Sequence, residues 1–254
     1  MNRFEDRIIL VTGAGSGIGQ ATVERLLAEG GQVLALDVSE KGLKATEERA
    51  RAAGAAERLT LITADISDEA AVKKEIGGAI AKAGRLDVLV NAAGILRSEH
   101  THKTSLDLWN TILAVNLTGT FLVTRECLPL LLASGRGVVV NFSSTSASFA
   151  HPYMAAYAAS KGGIQSFTHT IASEYAKQGL RAVAVAPGSI ASGMTETPGI
   201  PADADFSLFA KMSPSIGDGF ASPASVAGVI AMLASDDGAF VTGTELRIDG
   251  GTHM

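Results

Sequence analysis

The chain carries a single cysteine, Cys127, so no disulfide can form within it and a reducing compartment is expected. Cys127 lies in an apolar stretch that runs on to Leu132, where it reads as a packed thiol rather than a nucleophile. Basic tracts are missing and the formal net charge is −5, which argues against nucleic acid or an anionic membrane as partner. No uninterrupted apolar run approaches the roughly 18 residues of a membrane span. The segment before the first apolar run has no secretory h-region, so a cytoplasmic location is expected. No linker rich in proline, glycine and serine divides the chain and no internal period repeats, which predicts one domain over residues 1–254. His100, His102 and His151 lack ligand spacing with carboxylates, and no metal site is expected. What is present is 254 residues, 46% apolar and 19% charged, enough for one sizeable core.

Short β-branched or apolar runs alternate with longer helical patterns. The predicted strands are Ile8–Thr12, Gln32–Asp37, Leu59–Ala64, Leu86–Asn91, Val138–Ser143, Arg181–Ala186 and Glu245–Asp249. Helical patterns cover residues 17–29, 40–53, 68–83, 105–134, 155–178 and 223–235. Nearly continuous apolar strands separated by helices predict a parallel sheet covered on both faces. Right-handed crossovers make that an α/β, doubly wound, seven-stranded Rossmann-like fold. The long stretch near 189–222 mixes prolines and glycines with Phe206, Leu208, Phe209 and Met212, and is expected to be a lid over a ligand.

Three clusters carry chemistry. The first strand runs into Thr12-Gly13-Ala14-Gly15-Ser16-Gly17-Ile18-Gly19 and then a helical pattern. Glycines let a pyrophosphate approach the backbone, and the helix N-terminus offers it unpaired N–H groups. Asp37 closes the second strand, where a carboxylate can accept hydrogen bonds from adenosine ribose hydroxyls. The same carboxylate would repel a 2′-phosphate by about 1.7 to 6.6 kcal/mol for two charges about 5 Å away, which favours NAD over NADP. In Tyr157-Ala-Ala-Ser-Lys161 the phenol and the ammonium are four residues apart and share a helix face. Bringing a tyrosine from a pKa of about 10 to roughly 7 requires about 4 kcal/mol, which a lysine supported by a second cation can supply.

Together with Asn91-Ala92-Ala93-Gly94, Asn116, Ser144 and Pro187-Gly188, these motifs resemble the classical short-chain dehydrogenase/reductase family from Ile8 to Gly251. The resemblance implies a nicotinamide dinucleotide held by Gly13, Ser16, Gly17, Ile18 and Gly19 at the pyrophosphate, Asp37 at the ribose, and Asp65 and Ile66 at the adenine. It further implies Asn91, Ala92 and Gly94 on the ribose side, Pro187, Gly188 and Ile190 beside the nicotinamide, and Ser192 where the family usually has threonine. The implied catalytic tetrad is Asn116, Ser144, Tyr157 and Lys161, with Tyr157 and Lys161 also touching the cofactor. Ser144 rather than Ser143 follows from the family's spacing of thirteen residues before the tyrosine. Asn116 sits inside a helical pattern that disfavours asparagine, which predicts a local kink. Expected substrate contacts are Ile95, Leu96, Ser146, His151, Tyr153, Met154, Met194, Phe206, Phe209 and Met212. The implied activity is reversible hydride transfer between NAD and a secondary alcohol or ketone, with a homotetramer built on the helices of Asn116 and Tyr157. An NADPH-dependent 3-oxoacyl reductase and a non-catalytic dinucleotide sensor are the alternatives.

Overall fold

Seven strands lie side by side and all parallel in a computed structural model that describes residues 2–217 and 219–254. They are β1 (Ile8–Thr12), β2 (Gln32–Asp37), β3 (Leu59–Thr63), β4 (Val88–Asn91), β5 (Val138–Phe142), β6 (Arg181–Pro187) and β7 (Thr244–Ile248). Their order across the sheet is β3-β2-β1-β4-β5-β6-β7, so the chain winds away from β1 in one direction and from β4 in the other. Ligands bind at such a reversal, beyond the carboxyl ends of the strands. The register brings Thr12 beside Asn91 and Asn91 beside Asn141, which sets the ends of β1, β4 and β5 at one level. All five residues of β5, Val-Val-Val-Asn-Phe, are buried, as expected of a strand covered on both faces.

The two faces carry separate cores. The helices Gly17–Ala28 and Pro223–Ala234 bury Val23, Leu26, Leu27, Val226 and Ile230 against one face. The other is covered by residues 72–83 and by the helices Leu106–Ala133 and Ala155–Tyr175, through Ile76, Ile80, Val123, Leu131 and Ile171. Cys127 is fully buried in this second core, and burial pushes its thiol pKa up.

Most predicted strands differ from the observed ones by one or two residues at an end. Two helical patterns contain a π turn, at Val72–Ile76 and at Ala114–Thr118. The kink expected at Asn116 is therefore a π turn inside a continuous helix, and its carbonyl accepts from Thr120 Oγ1 at 2.7 Å. That helix bears on the membrane-span expectation. Leu106–Ala133 reaches, over 18 residues, a mean hydropathy of 1.3, enough in length and composition for a membrane span, although polar residues interrupt its apolar run. One third of that window is buried inside the chain, and along the helix Leu106 and Phe121 are the large apolar side chains left exposed among the described residues.

Candidate active site

The glycine loop closes against its neighbours so tightly that side chains are excluded. A Cβ on Gly19 would lie 2.1 Å from the Gly13 carbonyl oxygen, and Gly13 itself has φ +68° with Ala93 backbone 2.8 Å from where its Cβ would be. Thr12 Oγ1 accepts from Ala93 N at 3.1 Å, tying the Asn-Ala-Ala-Gly turn to β1. Ser16 precedes the Gly17–Ala28 helix without capping it through its side chain, so the first-turn N–H groups are left for an anion. Asp37 Oδ2 accepts from Gly15 N at 2.9 Å and Oδ1 from Ser39 N at 2.8 Å. A carboxylate so held stands at the rim of the loop with lone pairs to spare.

These elements form one end of a cavity of about 830 Å³. Gly13, Ser16, Gly17, Ile18, Gly19, Asp37, Asp65, Ile66, Ala92, Gly94, Pro187, Gly188, Ile190 and Ser192 all line it. Ser144, Tyr157 and Lys161 line the same cavity, where the ends of β5 and β6 meet the start of the Ala155–Tyr175 helix. An elongated cleft with an uncapped helix N-terminus, a glycine cradle and a carboxylate at one end fits a dinucleotide. The residues that would hold it are those of the loop, Asp37 and the strand ends around Gly94 and Pro187.

The groups at the far end are arranged by short contacts. Lys161 is almost fully buried and its Nζ donates to Phe142 O at 2.7 Å, while lying 5.5 Å from the centre of the Tyr157 ring. Burial without a carboxylate partner lowers its pKa to about 8. Burial also raises the Tyr157 phenol, and a hydrogen bond from Ser144 pulls it partly back. The lowering expected from Lys161 together with a second cation is not seen in the free protein, where burial dominates the phenol. Ser144 is extended at the end of β5 (φ −166°, ψ 157°) and its Oγ accepts from Ser146 N at 3.2 Å. Ser143, one residue earlier, turns its hydroxyl to Lys161 O at 3.4 Å.

Asn91 and Asn116 do not reach the cavity. Asn116 is fully buried: its Oδ1 accepts from Ile95 N at 2.8 Å, and its Nδ2 donates to Ile95 O at 3.0 Å and Ser160 Oγ at 3.1 Å. It clamps the segment after Gly94 to the Tyr157 helix. Asn91 Nδ2 donates to Asn141 Oδ1 at 2.8 Å and Thr124 Oγ1 at 3.0 Å, while Asn141 Nδ2 donates to Thr168 Oγ1 at 2.9 Å. This buried polar string joins β4, β5 and two helices directly behind the site.

Of the expected substrate contacts, Ile95, Leu96, His151, Met154, Met194, Phe209 and Met212 line the cavity, whereas Ser146, Tyr153 and Phe206 do not. Tyr153 instead fastens the 189–222 segment. Its hydroxyl accepts from Asp205 N at 2.8 Å and its ring stacks on Phe209 at 5.9 Å. The same segment is held to the loop after Leu96 by Ser98 N to Pro198 O at 2.9 Å, and by His100 and Lys103 on Asp203 at 2.8 and 3.1 Å. Thr252 and His253 also line the cavity and had no local signal, since they stand more than ninety residues beyond Lys161. Only the return of the chain past β7 brings them there.

Fold and cleft together define a dinucleotide-binding oxidoreductase. A family profile described as Enoyl-(Acyl carrier protein) reductase matches residues 13–253. The 3-oxoacyl-(acyl-carrier-protein) reductase FabG of Thermotoga maritima is 36% identical over 249 residues, 98% of each chain. The 2-(R)-hydroxypropyl-CoM dehydrogenase of Xanthobacter autotrophicus is 36% identical, covering 96% of this chain and 97% of that one. A 3-ketoacyl-(acyl-carrier-protein) reductase from Brucella melitensis, solved in complex with NADH, superimposes with a TM-score of 0.87 at 30% identity, over 98% of this chain and 99% of its own. The chain belongs to the classical short-chain dehydrogenase/reductase family, whose members carry out oxidoreduction at hydroxyl and carbonyl groups with a nicotinamide dinucleotide.

Proposed function

We propose that the protein is an NAD-dependent oxidoreductase interconverting a secondary alcohol and a ketone, with Tyr157 as its acid and base. The observation that carries this reading is the meeting of Ser144, Tyr157 and Lys161 on one wall of the cleft whose other end is the glycine loop. Bound dinucleotide supplies hydride chemistry; the chain supplies orientation and proton handling. Ser144 donates a hydrogen bond to the substrate oxygen. The Tyr157 phenol, kept protonated by its burial, gives its proton to that oxygen in reduction and takes it back in oxidation. Lys161, half-charged near pH 8, is the proton reserve behind it.

NAD is preferred over NADP because the adenine end is lined by Leu36, Asp37, Val38, Ala64, Asp65 and Ile66, with carboxylates and, among the described residues, no lysine or arginine. The 189–222 segment acts as the lid. Phe121 on the Leu106–Ala133 helix, 41% exposed, and Phe240, fully exposed, support a homotetramer. A 3-oxoacyl substrate is the second reading, supported by the identity to FabG.

Tyr157→Phe is expected to bind NADH with unchanged fluorescence enhancement and to lose at least about a thousandfold in turnover across a panel of secondary alcohols. Wild-type rates in that variant would sink the proposal.

A further inference from the structure

Beside the reacting end of the cleft stand two imidazoles that the proton-transfer scheme does not use. His151 and His253 both line the cavity, their ring centroids 5.8 Å apart. The His253 ring lies flat on Phe149, with centroids 4.1 Å apart and planes within 2° of parallel. Arg247 sits over the Phe149 ring at 5.2 Å and its Nη1 donates to His253 O at 2.7 Å, so ring and backbone are both held in place. His151 is held through Nε2 to Thr145 Oγ1 at 3.2 Å. The Nε2 of His253 is enclosed and has no hydrogen-bond partner among the described residues. A buried imidazole nitrogen without a partner is unfavourable unless something in the cavity completes it.

We propose that His253, with His151 beside it, reads a second, uncharged oxygen of the substrate, so that hydroxy- or oxo-substituted secondary alcohols and ketones are selected over simple ones. The inference rests on the oxidoreductase reading above and adds the substrate class. An uncharged oxygen, rather than a carboxylate, follows from the surroundings. Burial and the neighbouring ring lower the His151 pKa to about 4, which leaves it neutral at physiological pH. Among the described residues Arg97 is the one arginine that lines the cavity, exposed and with its Nη1 donating to Leu96 O at 2.7 Å, while the ammonium of Lys161 is engaged by Phe142 O at 2.7 Å at the reacting end. A site built to hydrogen-bond an oxygen discriminates strongly against analogues that lack it, because its own polar group is then left unpaired.

The test compares NAD-coupled oxidation of cyclohexanol with that of the isomeric cyclohexanediols. Wild-type protein is expected to prefer at least one diol by about tenfold or more in kcat/KM. His253→Phe keeps an aromatic ring on Phe149 but removes the nitrogen. It should cut that preference to about threefold or less, chiefly through KM, while cyclohexanol turnover stays within about threefold of wild type. His253→Gln, which restores a polar group, should recover part of the preference. The same ratios are read as binding, from the quenching of bound NADH fluorescence, where turnover is slow. A wild-type protein with no preference, or a preference that survives His253→Phe, overturns the assignment. Tyr157→Phe run in parallel lowers turnover of all these alcohols alike, so loss of selectivity and loss of proton transfer are read separately.

Discussion

At the scale of single residues, the site is governed by where desolvation meets charge. The Tyr157 phenol is raised by burial, so in the free protein it is protonated at neutral pH and ready to donate. Alcohol oxidation needs the deprotonated form. Its kcat/KM should therefore climb about tenfold per pH unit from pH 6 until the phenol titrates, while ketone reduction stays level until that point and falls beyond it. Initial rates in both directions across pH 6 to 10 check this, and a flat oxidation profile would remove Tyr157 as the base. Asp37 sets cofactor choice by a different balance. Asp37→Ser removes the carboxylate that a 2′-phosphate would meet, at a repulsion of about 1.7 kcal/mol or more, so the NADPH-to-NADH affinity ratio should rise at least about tenfold. NADH itself should bind less well, because Gly15 N and Ser39 N lose their shared acceptor.

At the scale of elements, the π turn at Ala114–Thr118 sets Asn116 within the helix so that it grips both sides of Ile95. Asn116→Ala leaves the Ile95 N–H and C=O without partners. At about 1–3 kcal/mol for each buried unmet group, a urea titration should show a loss of about 2–6 kcal/mol, together with weaker NADH binding. The strands, the glycine loop and the Tyr157–Lys161 pair were legible in the sequence because each is written within a short window whose period fixes its geometry. Asn116 was legible as an oddity but not as a clamp, since its partners, Ile95 and Ser160, lie on other elements. Asn91 belongs to the same class: its contacts to Asn141 and Thr124 run across the sheet, and strand alternation says which face a residue takes but not what meets it there. His253 left no trace, because nothing local ties it to the catalytic window.

At the scale of the whole molecule, the two ends of the sheet carry different duties. Chemistry gathers at the carboxyl ends of the strands, while the amino ends are tied by Asp87. Asp87 is fully buried and accepts from Ile8 N at 2.8 Å and from the Nε atoms of Arg85 and Arg136, both at 3.0 Å. Arg85 and Arg136 are 43% and 42% exposed, so removing Asp87 leaves them solvated and costs chiefly the buried acceptor of Ile8 N. Asp87→Ala should destabilise by about 1–3 kcal/mol in denaturant while kcat/KM of the folded fraction stays within about twofold. A comparable loss of kcat/KM would mean that the two ends are mechanically coupled.

The fastening of the 189–222 segment has a consequence for anyone altering specificity. Pro198, Asp203, Asp205 and Phe209 are bound to Ser98, His100, Lys103 and Tyr153, so three stretches far apart in the chain are buttoned together above the entrance. Transplanting the upper jaw from a relative without its matching buttonholes would leave the doorway ajar and admit water along with the new guest. Swaps made in matched sets would carry the seal along with the shape.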